Sequence, residues 1–161
     1  MSVELRRASR SDAEFLLEIL SADDTREFLS GTPSIDDIRA DISSWLVAEE
    51  DGRRVGCVQY AVVNERNRIV EGRKLAVHPD DRGRRLGDDL ARAFQRLVLG
   101  ELGFHRLEIQ VYGFNERALA HAERVGYVRE GVKRQAYEKS GEWQDAVLFS
   151  MLQEELGSDR G

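Results

Sequence analysis

Three arginines fall within four residues, Arg82, Arg84 and Arg85, beside Gly83 and shortly before Gly87. The run Leu75-Ala76-Val77-His78-Pro79-Asp80-Asp81-Arg82-Gly83-Arg84-Arg85-Leu86-Gly87 passes from a strand-like pattern into a helical one, since Leu86, Leu90, Phe94, Leu97 and Val98 follow at helical spacing. A turn that opens a helix presents N–H groups without intrahelical partners, at the positive end of the helix dipole. Successive amides there form an anion nest. Gly83 and Gly87 let backbone come close to a ligand, and the arginines add full charge. The chemistry implied is binding of a phosphate or pyrophosphate. No Gly-Lys-Ser/Thr ending is present, so this is not a P-loop, and glycines four apart do not spell G-x-G-x-x-G. The plain alternative is an ordinary helix start with a solvated arginine run.

The other reactive residue types are sparse. Cys57 is the single cysteine, which excludes an intrachain disulfide and a cysteine zinc cluster, and its apolar strand makes it a poor nucleophile. The three histidines lack metal-ligand spacing; His78 and His105 flank turns, and no metal is expected. The chain has 161 residues, with 24 Lys+Arg against 30 Asp+Glu and a net charge of −6. That balance excludes a globally basic nucleic-acid binder. No apolar run approaches membrane-spanning length and no signal-peptide core opens the chain, so no membrane partner and a cytoplasmic setting are expected. The length suits one domain, placed at residues 1–156, with a frayed polar tail at 157–161.

The elements alternate. Val3 to Arg7 reads as a strand, and Ser11-Asp12-Ala13-Glu14 resembles a capping box before a helix carrying Phe15, Leu16, Ile19 and Leu20. Residues 21–33 look irregular and acidic, and Ser34 can cap a second helix. Strands over Trp45–Glu49, Val55–Val63 and Ile69–Val77 suggest a meander, with Asp51-Gly52 as a hairpin turn. A helix is expected from Gly83 to about Leu102, and a half-buried strand over 106–112. Asn115 can cap a helix ended by Gly126, and Tyr127–Glu138 and Trp143–Leu152 pair around Ser140-Gly141. The β-α-β unit over residues 69–112 supplies one parallel step. The fold class is mixed α/β: a twisted, mostly antiparallel sheet with one parallel strand pair and helices on both faces.

Leu75 to Gly87 resembles the acetyl-coenzyme A signature of the GNAT superfamily of N-acetyltransferases, R/Q-x-x-G-x-G/A after a strand. Arg82 takes the first position and Gly87 the last, while Arg85 stands where the central glycine is expected. Asn115-Glu116-Arg117-Ala118, followed by Glu123-Arg124-Val125-Gly126-Tyr127, is similar to the family's second motif. The ending Ser150-Met151-Leu152-Gln153-Glu154-Glu155 resembles the RimJ/RimL-like ribosomal-protein N-terminal acetyltransferase branch.

The resemblance implies the GNAT fold, acetyl-coenzyme A as co-substrate and direct acetyl transfer to a primary amine in a ternary complex. The strand carrying Leu75, Ala76 and Val77 would splay from its neighbour and pair with pantetheine. The amides of Arg82, Gly83, Arg84, Arg85, Leu86 and Gly87 would hold the pyrophosphate, and Arg85 would either crowd that backbone or contact a coenzyme phosphate. Asn115 would contact the pantetheine arm and, with water as the alternative, act catalytically near the leaving sulfur, or it would be simply an N-cap. Glu71 stands where relatives carry a general base, and its even spacing would keep it on the strand face of Leu75. The family's usual acid tyrosine is replaced by Ala122. The acceptor would be a protein N-terminus, a polyamine, an aminoglycoside or another small amine, bordered by Asp23, Asp24, Glu27, Asp36, Asp37, Glu138 and Glu142. Trp45 and Trp143 would pack or line that cleft. Dimers are common among relatives, which admits a homodimer. The rival class is a non-catalytic acyl-coenzyme A-binding or regulatory module with the same fold.

Overall fold

The computed structural model describes residues 2–29 and 31–157, so the expected tail lies, apart from Gly157, outside the described residues. Seven strands form a sheet in the order β1-β2-β3-β4-β5-β7-β6. They are β1 (Glu4–Arg7), β2 (Trp45–Glu50), β3 (Arg53–Asn64), β4 (Ile69–Val77), β5 (Arg106–Tyr112), β6 (Val128–Lys139) and β7 (Glu142–Leu152). The helices are α1 (Ala13–Ser21), α2 (Asp23–Arg26), α3 (Ile35–Ala40), α4 (Leu86–Gln95) and α5 (Glu116–Arg124). The mixed sheet is as expected: β4 and β5 pair in parallel, from Ile69↔Arg106 to Glu71↔Glu108, and β1–β2, β2–β3, β5–β7 and β6–β7 are antiparallel. No helix among the described residues is long and apolar enough to cross a membrane.

The chain divides into two compact units. The first holds residues 1–61 and 72–94. Its β2–β3 hairpin turns on Asp51 (φ +53°) and Gly52 (φ +78°), the doubly left-handed geometry that matches strand twist. Ala13, Leu16, Ile19 and Leu20 of α1 bury against Ile38 of α3, Trp45 and Val47 of β2 and Cys57 of β3. A second cluster joins Val3, Ala48, Val55, Leu86 and Leu90, with Leu75 and Val77 packed against it.

Two details of this unit differ from expectation. The cap before α1 is Ser9 with Asp12 rather than Ser11 with Glu14: the Ser9 N–H donates to Asp12 Oδ2 at 2.8 Å, and a 3-10 turn over Arg10–Asp12 leads into the helix. Asp12 is 2% exposed and clamped by Arg6 at 2.8 Å and Arg54 at 3.3 Å, so the turn forms around its carboxylate. The Arg6 guanidinium holds that carboxyl well below the usual range. Within the irregular acidic stretch, Asp23–Arg26 forms the short α2, closed by an Arg26–Asp23 pair at 2.8 Å.

The second unit holds residues 62–71 and 95–161. Its β6–β7 hairpin turns on Ser140 (φ +53°) and Gly141 (φ +81°). α5 ends at Gly126, at φ +101°, where an added Cβ would lie 3.0 Å from Met151 Cε. Leu107, Val98 and Leu99 are fully buried. The expected helix from Gly83 to Leu102 is shorter and changes winding. It starts at Leu86, because Gly83 and Arg85 have positive φ and cannot continue an α-helix, and it widens into a π segment over Arg96–Glu101 before Gly103.

In the first unit β3 and β4 approach closely at Gly56, where a Cβ would lie 2.7 Å from the Ala76 carbonyl oxygen and 3.1 Å from Leu90 Cδ2. Backbone cannot yield there as a flexible side chain would. Gly56→Ala is expected to cost about 1–3 kcal/mol in urea unfolding; unchanged stability would show that the strands have room.

Candidate active site

The expected phosphate loop lies in the first unit. β4 ends at Val77, a 3-10 turn over Pro79–Asp81 follows, and α4 begins at Leu86. The backbone turns left-handed at Gly83 (φ +85°) and again at Arg85 (φ +60°). Position 85 therefore has the conformation a glycine adopts without cost, and this chain carries an arginine there. The residue differs from the signature but the backbone shape is glycine-like. Leu86 and Gly87 are the first helical residues, and their amides have no acceptor within the helix. The Asp88 and Asp89 amides donate to the Arg85 carbonyl.

The three arginines play unequal parts. Arg82 Nε donates to the Val77 carbonyl at 3.1 Å, Nη2 donates to Thr25 Oγ1 at 2.6 Å, and the guanidinium also pairs with Asp24. Arg84 bridges Glu50 at 3.1 Å and Asp81 at 3.0 Å. Asp81 is buried and also holds Arg53 at 2.6 Å; the Arg53 guanidinium keeps its carboxyl below the usual range. Arg85 is exposed, and its side chain makes no hydrogen bond or ion pair among the described residues. Of the three charges, two fasten the loop to the protein and one points to solvent.

Leu75 and Val77 pack on the α4 side, whereas Ala76 packs against the cluster under α1. The His78 N–H donates to the Val55 carbonyl at 2.7 Å, and its ring stacks on Phe15 with Nε2 at 2.8 Å from Glu18 Oε1. His78 is thus a structural residue at the end of β4. Lys74 carries φ +51° within that strand. Strict alternation breaks there, so sequence spacing does not relate the face of Glu71 to that of Leu75. Lys74 Nζ lies 3.5 Å from Gln59 Oε1 and 5.9 Å from the Trp45 ring centre, and burial holds its ammonium below the usual lysine range.

Glu71 and Asn115 belong to the second unit. Glu71 is half-buried on β4 opposite Glu108, and its Oε2 accepts from Gln110 Nε2 at 3.3 Å. Gln110 Oε1 in turn accepts from the Tyr137 hydroxyl at 2.8 Å. Tyr137 meets Tyr112 edge-on with ring centres 6.1 Å apart. Asn115 caps α5, its Oδ1 accepting from the Ala118 N–H at 3.2 Å, which leaves its amide NH2 as the group for any further contact. Ala122, at the family's usual tyrosine position, is 2% exposed. Sequence reasoning did not single out Gln110 or Tyr137, whose meeting depends on a long-range strand register.

Cys57 is fully buried and burial pushes its thiol up to about 12, so it stays protonated and is no nucleophile. Among the described residues no three or more His, Cys, Asp or Glu side chains are grouped to hold a metal ion.

A family model described as the acetyltransferase (GNAT) family matches residues 11–127. The chain belongs to the GNAT family of acetyltransferases. Its activity is N-acetyl transfer, with acetyl-coenzyme A as the acetyl donor. Over 141 residues it is 26% identical to the SPbeta prophage-derived uncharacterized N-acetyltransferase YokL of Bacillus subtilis (strain 168), covering 88% of this chain and 76% of that protein. The fold matches the spermidine N-acetyltransferase from Vibrio cholerae in complex with CoA and spermine, with TM-score 0.86, 19% identity, and 98% and 99% of the two chains covered. It also matches a GNAT-family acetyltransferase from Bacillus anthracis, with TM-score 0.82, 18% identity and 96% of each chain covered.

Arg85→Gly separates the backbone at this position from its charge. Relief of the left-handed arginine is expected to leave stability unchanged or raise it by up to about 1 kcal/mol. Calorimetric affinity for coenzyme A is expected to fall about tenfold if the guanidinium meets a phosphate. A loss of stability would contradict the strain at Arg85, and undiminished affinity would contradict the phosphate contact.

Proposed function

We propose that this chain acetylates a small cationic amine of the polyamine class, with Glu71 as general base and the 82–87 loop as the coenzyme cradle. The observation that carries the cradle is the doubly left-handed turn at Gly83 and Arg85, opening directly onto the first amides of α4. Acetyl-coenzyme A supplies a thioester whose carbonyl carbon an amine can attack. The residues fitted to hold it are Leu75, Ala76 and Val77 through backbone, and Arg82, Gly83, Arg84, Arg85, Leu86 and Gly87 through the turn. Since Arg82 and Arg84 are tied to carboxylates, their share is carried by the backbone, while Arg85 contributes its guanidinium as well. The Asn115 amide NH2 is assigned to the pantetheine arm.

Glu71 takes a proton from the acceptor ammonium, directly or through water, which frees the amine lone pair to attack the thioester carbonyl. Its half-buried carboxylate is already hydrogen-bonded by Gln110, which fixes its orientation. Thiol pKa values of about 8.5 let the leaving sulfur depart without a dedicated acid, which accommodates Ala122. Cys57 is protonated and buried, so attack is direct rather than through an acetyl-enzyme. Residues 1–156 are taken as one catalytic domain acting in the cytoplasm.

Support for a polyamine-class acceptor comes from Asp23 and Asp24 of α2, Glu27 just after it, and Asp36 and Asp37 in the first turn of α3, a local excess of carboxylates that favours a cation. The Vibrio cholerae structure, a spermidine N-acetyltransferase in complex with CoA and spermine, points the same way. A protein N-terminus is the second acceptor class, supported by the RimJ/RimL-like ending Ser150–Glu155.

The test is thiol release from acetyl-coenzyme A with spermidine, an aminoglycoside and a short peptide with a free N-terminus. Spermidine is expected to be fastest, and preference for the peptide would transfer the assignment to the RimJ/RimL-like class. Coenzyme binding without thiol release on any amine would favour the non-catalytic module. Glu71→Gln should lower kcat by about 10²–10⁴-fold with coenzyme affinity unchanged. An unchanged kcat would remove Glu71 as base.

A further inference from the structure

Three strands of the second unit are linked through side chains at Glu71. Glu71 lies on β4, Gln110 on β5 and Tyr137 on β6, and they are joined by hydrogen bonds of 3.3 and 2.8 Å. The polarity is fixed by chemistry. A carboxylate only accepts, so the Gln110 amide must turn its NH2 to Glu71 and its oxygen to Tyr137, whose hydroxyl then donates. Such a chain has one arrangement that satisfies every member, and each bond polarises the next.

The strands are built to make this contact. β7 lies between β5 and β6, so Tyr137 must reach across it. Opposite Tyr112, β7 carries Ala146, which has no side chain beyond Cβ to block the ring. The register also has to be shifted. From Lys133↔Ala146 an unbroken ladder would place Tyr137 opposite Glu142, next to the Ser140-Gly141 turn. A bulge between Lys133 and Tyr137 places it opposite Gln144 instead, two residues along β7 toward Ala146. The bulge contains Gln135 at φ +48°, and the Gln135 N–H donates to Asp145 Oδ1 at 2.8 Å. Bulges beside active sites commonly re-aim a side chain in this way.

We infer that Gln110 and Tyr137 are positioning residues for Glu71: the Asp145-held bulge aims Tyr137, Tyr137 sets the rotamer of Gln110, and Gln110 holds the carboxylate for proton transfer. This rests on Glu71 as base. Neither Gln110 nor Tyr137 needs to touch the reacting atoms. Their effect passes through Glu71 and disappears when Glu71 cannot act.

The experiment is a double-mutant cycle on the full chain with acetyl-coenzyme A and spermidine, beside side-chain amide NMR that needs no turnover. Tyr137→Phe should lower kcat about tenfold or less and Gln110→Leu about tenfold or more, each with the acceptor KM within about twofold. In a Glu71→Gln background, Tyr137→Phe should have no further effect on kcat. The Gln110 NH2 signals should be sharp and distinct in the parent and should move in Tyr137→Phe. An equal loss from Tyr137→Phe in both backgrounds, or Gln110 signals indifferent to Tyr137→Phe, would overturn the positioning role while leaving Glu71 as base. A Glu71→Gln variant with undiminished kcat would instead overturn the base assignment on which the relay rests.

Discussion

The backbone between β4 and α4 must enter the left-handed region twice, at Gly83 and at Arg85, before the helix can begin. That constraint orders much of the first unit. A left-handed arginine is a conformation held against its intrinsic preference, so the surroundings must fix it. They do so on both sides: Arg82 is tied to Val77, Thr25 and Asp24, and Arg84 to Glu50 and Asp81, with Arg53 completing the clamp on Asp81. α4 then buries Leu86 and Leu90 in the same cluster that receives Leu75 and Val77, so the strand end and the helix start share one core. The positive charge of the 82–85 run thus divides into two fasteners and one outward guanidinium, which spacing alone does not distinguish.

A second left-handed residue, Lys74, interrupts β4 itself. Sheet residues ordinarily alternate faces, and a base could be assigned from even spacing only on an unbroken strand. Here the surroundings of Glu71 have to define it. In the second unit those surroundings are polar and connected, through Gln110 to Tyr137, and the bulge in β6 supplies the connection. Both units use irregular backbone at the place where a side chain or amide has to be aimed.

Much of this was legible in the residues. The span of β4 follows from its pattern of apolar residues, and β5 was visible in the strict alternation of Leu107, Ile109 and Val111 with Glu108, Gln110 and Tyr112. The caps at Ser34 and Asn115 and the turns at Asp51-Gly52 and Ser140-Gly141 are local chemistry, so local sequence sufficed. The cap before α1 was misplaced because Asp12 answers to Arg6 and Arg54, and Arg54 is forty-two positions away in sequence. The helix start was placed too early because the φ of Arg85 is not written in its residue type. The partners of Arg82 and Arg84, and the meeting of Gln110 with Tyr137, come from distant strands and loops whose register no short window contains.

If the turn ending in α4 is the coenzyme cradle, its backbone amides must respond to coenzyme binding. Amide chemical-shift mapping of the isotopically labelled chain during titration with acetyl-coenzyme A tests it most directly. The largest saturable shifts are expected on Gly83, Arg85, Leu86 and Gly87, with Leu75 to Val77 following. Saturable binding that leaves those amides unmoved and shifts another part of the chain would contradict the cradle assignment.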